Sequence, residues 1–267
     1  MSHPIHSCDS KSHSNGGHTA HQGFEPETLA QMPLLCGMSP GDLEVARRVI
    51  ERRTVAQGEV LLIEDEPGNT LFFLMEGAFK ITVRKGESTV VLGLCGRGEL
   101  LGELAAIDGH VRSATVVAQT PCVVGALSAH EFWHTLWPLE PIATNMAHTL
   151  TARVRRLTAK VQAMATLDVR GRLAFQLVSL ARDHAEQIEG SAHHIPFGLK
   201  QTELAQMVGT SRVQVNQLMM TWSKHGFITA KRNSIHIHSL DALCQMFPAS
   251  LDSVTPFERG HFTGFAA

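Results

Sequence analysis

From Ala147 to Met164 the apolar residues fall in one narrow stripe. Ala147, Leu150, Val154, Leu157, Val161 and Met164 alternate steps of three and four. That is the period of a coiled-coil seam, narrower than the face a helix usually lays on its own core. It predicts a single long helix from Pro141 to Leu167, flanked by the charges of Arg153, Arg155, Arg156 and Lys160. Two copies of such a helix bury the stripe against each other, so a homodimer is expected. The competing reading lays the helix on its own domain.

The stripe separates two regions of different pattern. Before it, from Thr54 to about Leu127, short apolar runs are divided by glycines and turn residues: "VLLIED", "EPGN", "TLFFLMEG", "CGRGELLG". Lys85-Gly86-Glu87-Ser88 sits between two alternating runs and reads as a hairpin. Many such runs in succession predict a compact antiparallel β-roll. Ahead of it, Ser39 caps a helix that starts at Pro40, with Asp42 as its capping-box partner. After the stripe, Asp168 and Gly171 break the pattern. A helix from Lys200 to Val208 then meets Gly209, and Ser211 caps a second helix with Gln214 three residues on. Val215, Leu218, Met219 and Trp222 form the buried stripe of that second helix. Ile228 to Ile237 reads as a hairpin with Lys231, Arg232, Asn233 and Ser234 at its tip. Helix, glycine turn, helix and basic hairpin spell a winged helix-turn-helix.

Composition bounds these readings. With 267 residues there is room for two domains, and 43% hydrophobic with 18% charged residues is ordinary for a globular protein. The net charge of −2 gives no global sign of nucleic acid. Residues 169 to 245, however, carry eight Lys and Arg against five Asp and Glu, so positive charge gathers where DNA would bind. No apolar run approaches a membrane span and no secretory signal is visible, so no membrane partner is expected. Five scattered cysteines without a C-x-x-C pair argue for a reducing cytoplasm. The first 24 residues are rich in His, Ser and Gly and read as a disordered tail. His3, His6, His13, His18 and His21 there are taken as unselected, and no metal is predicted.

One stretch carries ligand chemistry: "GELAAIDGHVRSATV", from Gly102 to Val116. A buried phosphate needs a fixed guanidinium fork, a hydroxyl and free backbone N–H groups. Arg112 and Ser113, followed by Ala114, supply the first two. The start of a short helix at Gly102, Glu103 and Leu104 supplies the third. Glu103 is an acceptor for a sugar hydroxyl beside that phosphate. An ordinary surface ion pair is the plain alternative for an isolated Glu and Arg.

This stretch resembles the phosphate-binding cassette of the cyclic-nucleotide-binding domain. "VAQGEVLLIEDEPGNTLFFLMEGAFKI" is similar to that domain's opening strands. With the long helix and the winged helix-turn-helix, residues 27 to 245 resemble the CRP/FNR family of bacterial transcription regulators. The resemblance implies an α+β fold: a tail over 1–24, a β-roll effector domain over 25–140, a dimerisation helix and hinge over 141–168, a DNA-binding domain over 169–245 and a tail over 246–267. It implies cAMP and/or cGMP as effector. Glu103 would accept from the ribose 2′-hydroxyl, Arg112 and Ser113 would hold the cyclic phosphate, and Arg153 would lie beside them on the long helix. The base would face two positions that carry hydroxyl residues in the cAMP-responsive members. Here they are Leu157 and Thr158, so adenine selectivity is expected to be weak.

The resemblance also implies double-stranded DNA with a palindromic operator as partner, and RNA polymerase if the protein activates. Candidate DNA contacts are Lys200, Ser211, Arg212, Val213, Gln214, Asn216, Gln217, Lys231 and Arg232. Members that read a TGTGA half-site carry an Arg-Glu pair at the start of the second helix and a later arginine. This chain has Arg212, Val213 and Gln217 instead, so a different operator is expected. No nucleophile–base set is present, so an enzyme is not expected. The alternatives are a regulator of the same fold that is ligand-independent or senses redox state or a gas through haem or metal, and a nucleotide-binding module acting on a protein partner. An iron–sulfur cluster is disfavoured, since Cys8 is alone in the N-terminal tail.

Overall fold

The computed structural model describes residues 23–184, 186–187, 192–196, 199–231 and 234–252. Residues 1–22 of the expected histidine-rich tail, Arg232, Asn233 and residues 253–267 lie outside the described residues. In chain order, α1 (Pro26–Ala30), a 3₁₀ turn (Pro33–Leu35) and α2 (Pro40–Val49) precede eight strands. These are β1 (Glu51–Val55), β2 (Val60–Leu62), β3 (Thr70–Glu76), β4 (Phe79–Lys85), β5 (Ser88–Cys95), β6 (Leu100–Leu101), β7 (Thr115–Ala118) and β8 (Cys122–Ser128). The short helix α3 (Glu103–Asp108) lies between β6 and β7, and α4 (Ala129–Glu131) follows β8, running into a π-helical turn at Phe132–Leu136. The Ser39 hydroxyl accepts the Asp42 N–H at 3.2 Å and donates to the Asp42 carboxylate at 2.8 Å, so serine and aspartate pair directly at the start of α2.

The strands form two antiparallel sheets, β1-β8-β3-β6 and β2-β7-β4-β5, with the β4–β5 hairpin closing at Lys85 opposite Ser88. β3 shows why they stack. Phe72 and Leu74 point between the sheets, with Phe79, Val116 and Val124. Leu71, Phe73 and Met75 point the other way, against a helical layer of Leu29, Leu35, Phe132 and Ile142. A strand buried on both faces reads as a continuous apolar run, and "LFFLM" does. Phe24 is buried in that outer layer, so the packed structure begins inside the stretch expected to be a tail.

α5 (Glu140–Thr166) spans 27 residues, about 40 Å at 1.5 Å per residue. Ile142, Asn145 and Met146 fix its first turns to the roll, with the Asn145 amide donating to the carbonyls of Leu34 and Cys36 at 3.0 and 2.8 Å. Ala159 and Ala163 bury the same face farther along. The expected seam lies open: Val154, Leu157 and Val161 are 61%, 57% and 67% exposed. Arg156 and Lys160 depart from the expectation of an outward charged face, while Arg153 lies beside the cassette. Arg153, Arg156 and Lys160 turn inward onto the roll, to Glu103, Glu99 and the Leu92 carbonyl respectively.

α6 (Val169–His184) starts after two linking residues, capped by Asp168, whose carboxylate accepts the Gly171 N–H at 2.7 Å. β9 (Glu186–Gln187), β10 (His193–Ile195), α7 (Gln201–Val208), α8 (Arg212–Lys224), β11 (Ile228–Lys231), β12 (Ser234–Ile237), α9 (Leu240–Cys244) and α10 (Ala249–Asp252) complete the chain. The last sheet runs β11-β12-β10-β9. Its core holds Trp222, Val215, Leu173, Leu177 and Ile237 and is continuous with Val91 of the roll and Ala159 of α5. Phe247 and Leu251, expected in a tail, are 7% and 5% exposed within that core.

Candidate functional site

Gly102 turns the chain from β6 into α3 at φ +74°. A β-carbon there would lie 2.5 Å from Nη1 of Arg112 and 2.9 Å from the Thr70 carbonyl oxygen. Gly68 is tighter still, since its β-carbon would sit 1.9 Å from Nε of Arg112. Two glycines thus leave a slot for one guanidinium. Arg112 fills it, donating from Nη1 to the Gly102 carbonyl at 2.6 Å and from Nη2 to the Thr70 carbonyl at 2.8 Å. It is only 6% exposed, and burial lowers its pKa.

Glu103 is 2% exposed at the first position of α3. Its carboxylate is paired with Arg153, whose other nitrogen donates to the Leu100 carbonyl at 2.9 Å. Burial raises the Glu103 pKa, and Arg153 works against that rise. The acidic group of the cassette is therefore tied to the long helix.

Beside these groups lies a cavity of about 420 Å³. Leu104, Ser113 and Ala114 of the cassette line it, as do Arg153 and Leu157 of α5. Gly102, Glu103, Arg112 and Thr158 do not. Residues 157 and 158 are about 100° apart on a helix, which is why Leu157 faces the cavity and exposed Thr158 does not.

A second polar cluster joins roll, long helix and α6. Arg156 donates to Glu99 at 2.8 Å and approaches Asp183 at 4.0 Å, while the Gly96 N–H donates to the other Glu99 oxygen at 2.8 Å. Burial raises the Asp183 pKa to about 6. Glu99 is held low despite burial, chiefly by Arg156. Burial lowers the His184 pKa, and the absent side chain of Gly96 makes room for its ring. Sequence reasoning missed Gly68, Glu99, Asp183 and His184. Gly68 read as an ordinary turn residue, and Glu99 is far in the chain from Asp183 and His184.

In the helix-turn-helix, Gly209 ends α7 at φ +65° and the Ser211 hydroxyl accepts the Gln214 N–H at 3.3 Å. The expected reciprocal bond at Ser211 is absent, because the Gln214 side chain accepts from the Thr210 hydroxyl instead. Val215, Met219 and Trp222 are buried, and Leu218 is half-buried. Arg212, Val213, Gln214 and Gln217 share the exposed face, with Val213 64% exposed. Asn216 is half-buried and accepts from Gln201 at 2.9 Å, which ties it to α7. Lys200 and Lys231 are exposed at the edges of the same region.

α7 also packs on the roll. Lys80 meets Glu203 at 2.7 Å. The Gln206 amide accepts the Val91 N–H at 3.1 Å and donates to the Thr89 carbonyl at 3.2 Å.

Comparison with known proteins agrees with this construction. Residues 52–136 match the cyclic nucleotide-binding domain and residues 171–246 the Crp-like helix-turn-helix domain. The chain is 28% identical over 222 residues to a CRP-like cAMP-activated global transcriptional regulator of Mycobacterium tuberculosis, covering 82% of this chain and 98% of that one. It is 26% identical over 206 residues to the cyclic AMP receptor protein of Thermus thermophilus, covering 77% and 92%. In fold it resembles the c-di-GMP responsive global regulator of Xanthomonas campestris, with a TM-score of 0.61 at 23% identity over 75% of this chain and all of that one. An effector domain followed by this helix-turn-helix defines a class of regulators. The chain belongs to the CRP/FNR family of transcription regulators.

Proposed function

We propose that the chain acts as a homodimer whose binding to a palindromic operator is controlled by a cyclic nucleotide, cAMP and/or cGMP, in the cavity between roll and long helix. One observation supports this above the rest: the cassette's Ser113 and Ala114 open onto the same cavity as Leu157 of the helix that carries the exposed seam. Arg112 stands behind the cavity lining, held by two carbonyls, and meets the cyclic phosphate beside the Ser113 hydroxyl once its guanidinium turns from them. Glu103 takes the ribose 2′-hydroxyl. That hydroxyl competes with Arg153 for the carboxylate, so occupancy reaches α5 through a single ion pair. The base meets Leu157 and no hydroxyl of the same helix face, which favours weak discrimination between cAMP and cGMP.

Paired seams then set two α8 helices about one DNA turn apart, about 34 Å. Arg212, Val213 and Gln217 read base edges, while Lys200, Ser211, Lys231 and Arg232 take phosphates. Operator binding places the protein in the cytoplasm, with RNA polymerase as partner where it activates. Among the described residues no helix is long and apolar enough to cross a membrane. Calorimetric titration with cAMP and cGMP, followed by gel shifts with and without each, tests the reading. Heat of binding lost in Arg112→Ala and nucleotide-dependent retardation of DNA are expected. Binding unchanged in that variant refutes the pocket.

A further inference from the structure

The cavity has a second half. Away from the cassette it is bounded by Leu94 of β5, Phe175 and Val178 of α6, and Phe247 and Leu251 of the segment after α9. Phe247 meets Phe175 edge-on, with ring centroids 5.6 Å apart at 85°. Both Phe247 and Leu251 lie past residue 246, where the helix-turn-helix match ends. They are buried, yet they still face open space that runs without interruption to Ser113 and Ala114.

Charged groups share this side of the cavity, since Glu99, Arg156, Arg182, Asp183 and His184 also line it beside the apolar side chains. The cavity volume of about 420 Å³ is that of a small-molecule site, for which roughly 300–1,000 Å³ is usual. A ligand that carries both an anionic group and a flat ring matches a lining that mixes cations with aromatic and aliphatic side chains. Aromatic and aliphatic side chains take a planar ring by burying its faces and by edge contacts.

We infer that Phe247 and Leu251 form an effector-binding wall, which takes the purine of a cyclic nucleotide whose phosphate is held by the cassette. This rests on reading the cavity as the effector site. It adds a consequence, because the wall is built on α6 and on the segment following the DNA-reading fold. A bound base then touches the DNA-reading region itself, in addition to acting through the long helix.

The test is calorimetric titration of the full-length protein with cAMP, comparing wild type with Arg112→Ala, Phe247→Ala and Ser179→Leu. Ser179 is a half-buried cavity residue of α6. Lengthening it fills space on the α6 side of the cavity without removing any core side chain, so this variant decides the matter if Phe247→Ala fails to fold. Affinity is expected to drop about tenfold or more in both wall variants, with a less negative heat-capacity change on binding in Phe247→Ala. Loss of binding in Arg112→Ala with Phe247→Ala and Ser179→Leu within twofold of wild type overturns the wall and leaves the effector reading standing. Equal binding by wild type and Arg112→Ala, or no binding by wild type, overturns the effector reading and the wall with it.

Discussion

Arg153 of the long helix and Glu103 of the cassette form an ion pair across 50 residues of sequence, with only 3% of the Glu103 side chain exposed. Taking Arg153 away leaves a buried carboxylate without its cation. Breaking such a pair costs about 3 kcal/mol or more, whereas removing both partners costs less. Arg153→Met is therefore expected to lower stability by about 3 kcal/mol. The double variant with Glu103→Gln should recover part of that, and chemical denaturation of the full cycle measures the coupling.

Gly68→Ala is expected to displace the Arg112 guanidinium, since the added carbon would sit 1.9 Å from Nε and 2.1 Å from Cζ. Cyclic-nucleotide affinity should fall at least tenfold while the dimer persists. Titration calorimetry and sedimentation on the same sample check both halves. Gly58, at φ +84° with open space around its α-carbon, makes a contrasting site: Gly58→Ala should strain the backbone and spare the ligand.

Val161 is 67% exposed in a single chain, so Val161→Asp should leave the fold of one copy intact. In a paired seam the same change buries an unpaired charge. Sedimentation should show wild type as a dimer at micromolar concentration and the variant as a monomer with an unchanged circular dichroism spectrum. A monomeric wild type would refute the seam.

The Asp183 carboxyl, lifted by burial to about 6 from an ordinary 3.8, holds its proton more tightly folded than unfolded. Its contribution to stability is therefore full below about pH 4 and is lost as pH rises through 6. A shift of two units corresponds to about 3 kcal/mol. Glu99 runs the other way, because Arg156 holds its pKa low, and its contribution is lost only as pH falls into the acid range. Asp183→Asn should therefore remove the loss between pH 4 and 6, and melting curves across that window would show it. An identical pH profile in the variant would count against the buried charge.

At the DNA end, Arg212→Ala should cost roughly 1–3 kcal/mol and relax one operator position, as expected for a bidentate contact to guanine. Lys231→Ala should weaken all sites alike and reduce the salt slope by about 1. Selection from random DNA should return a palindrome sharing at most part of TGTGA. Recovery of an unaltered TGTGA site would refute the roles given to Val213 and Gln217.

Much of this architecture is legible because its signals are local. A three-four step shows in Leu150 to Met164, a hairpin in Lys85 to Ser88, and a left-handed turn in Gly209. The Arg112 slot is only half legible: Gly102 stands next to the motif, but Gly68 approaches through the fold from 44 residues away. The cluster of Glu99, Arg156 and Asp183 left no trace, since it exists only once three elements meet. The charges beside the seam misled for a related reason. Period and charge identify a helix face, but they do not say which faces dock on the chain's own roll, and Arg156 and Lys160 do; the cassette resemblance alone places Arg153 there. Phe247 and Leu251 follow the recognised domains without any periodic pattern and so resembled a tail.

The contact between Gln206 and β5 has one more consequence. β5 is the outer strand of its sheet, and an uncovered outer strand invites pairing with another chain. The Gln206 amide occupies one rung of that edge, bonding Thr89 and Val91 as a neighbouring strand would. Any swing of α7 away from the roll bares those groups. The DNA-reading region is therefore also a cover for an adhesive edge, and mobility in one is exposure of the other.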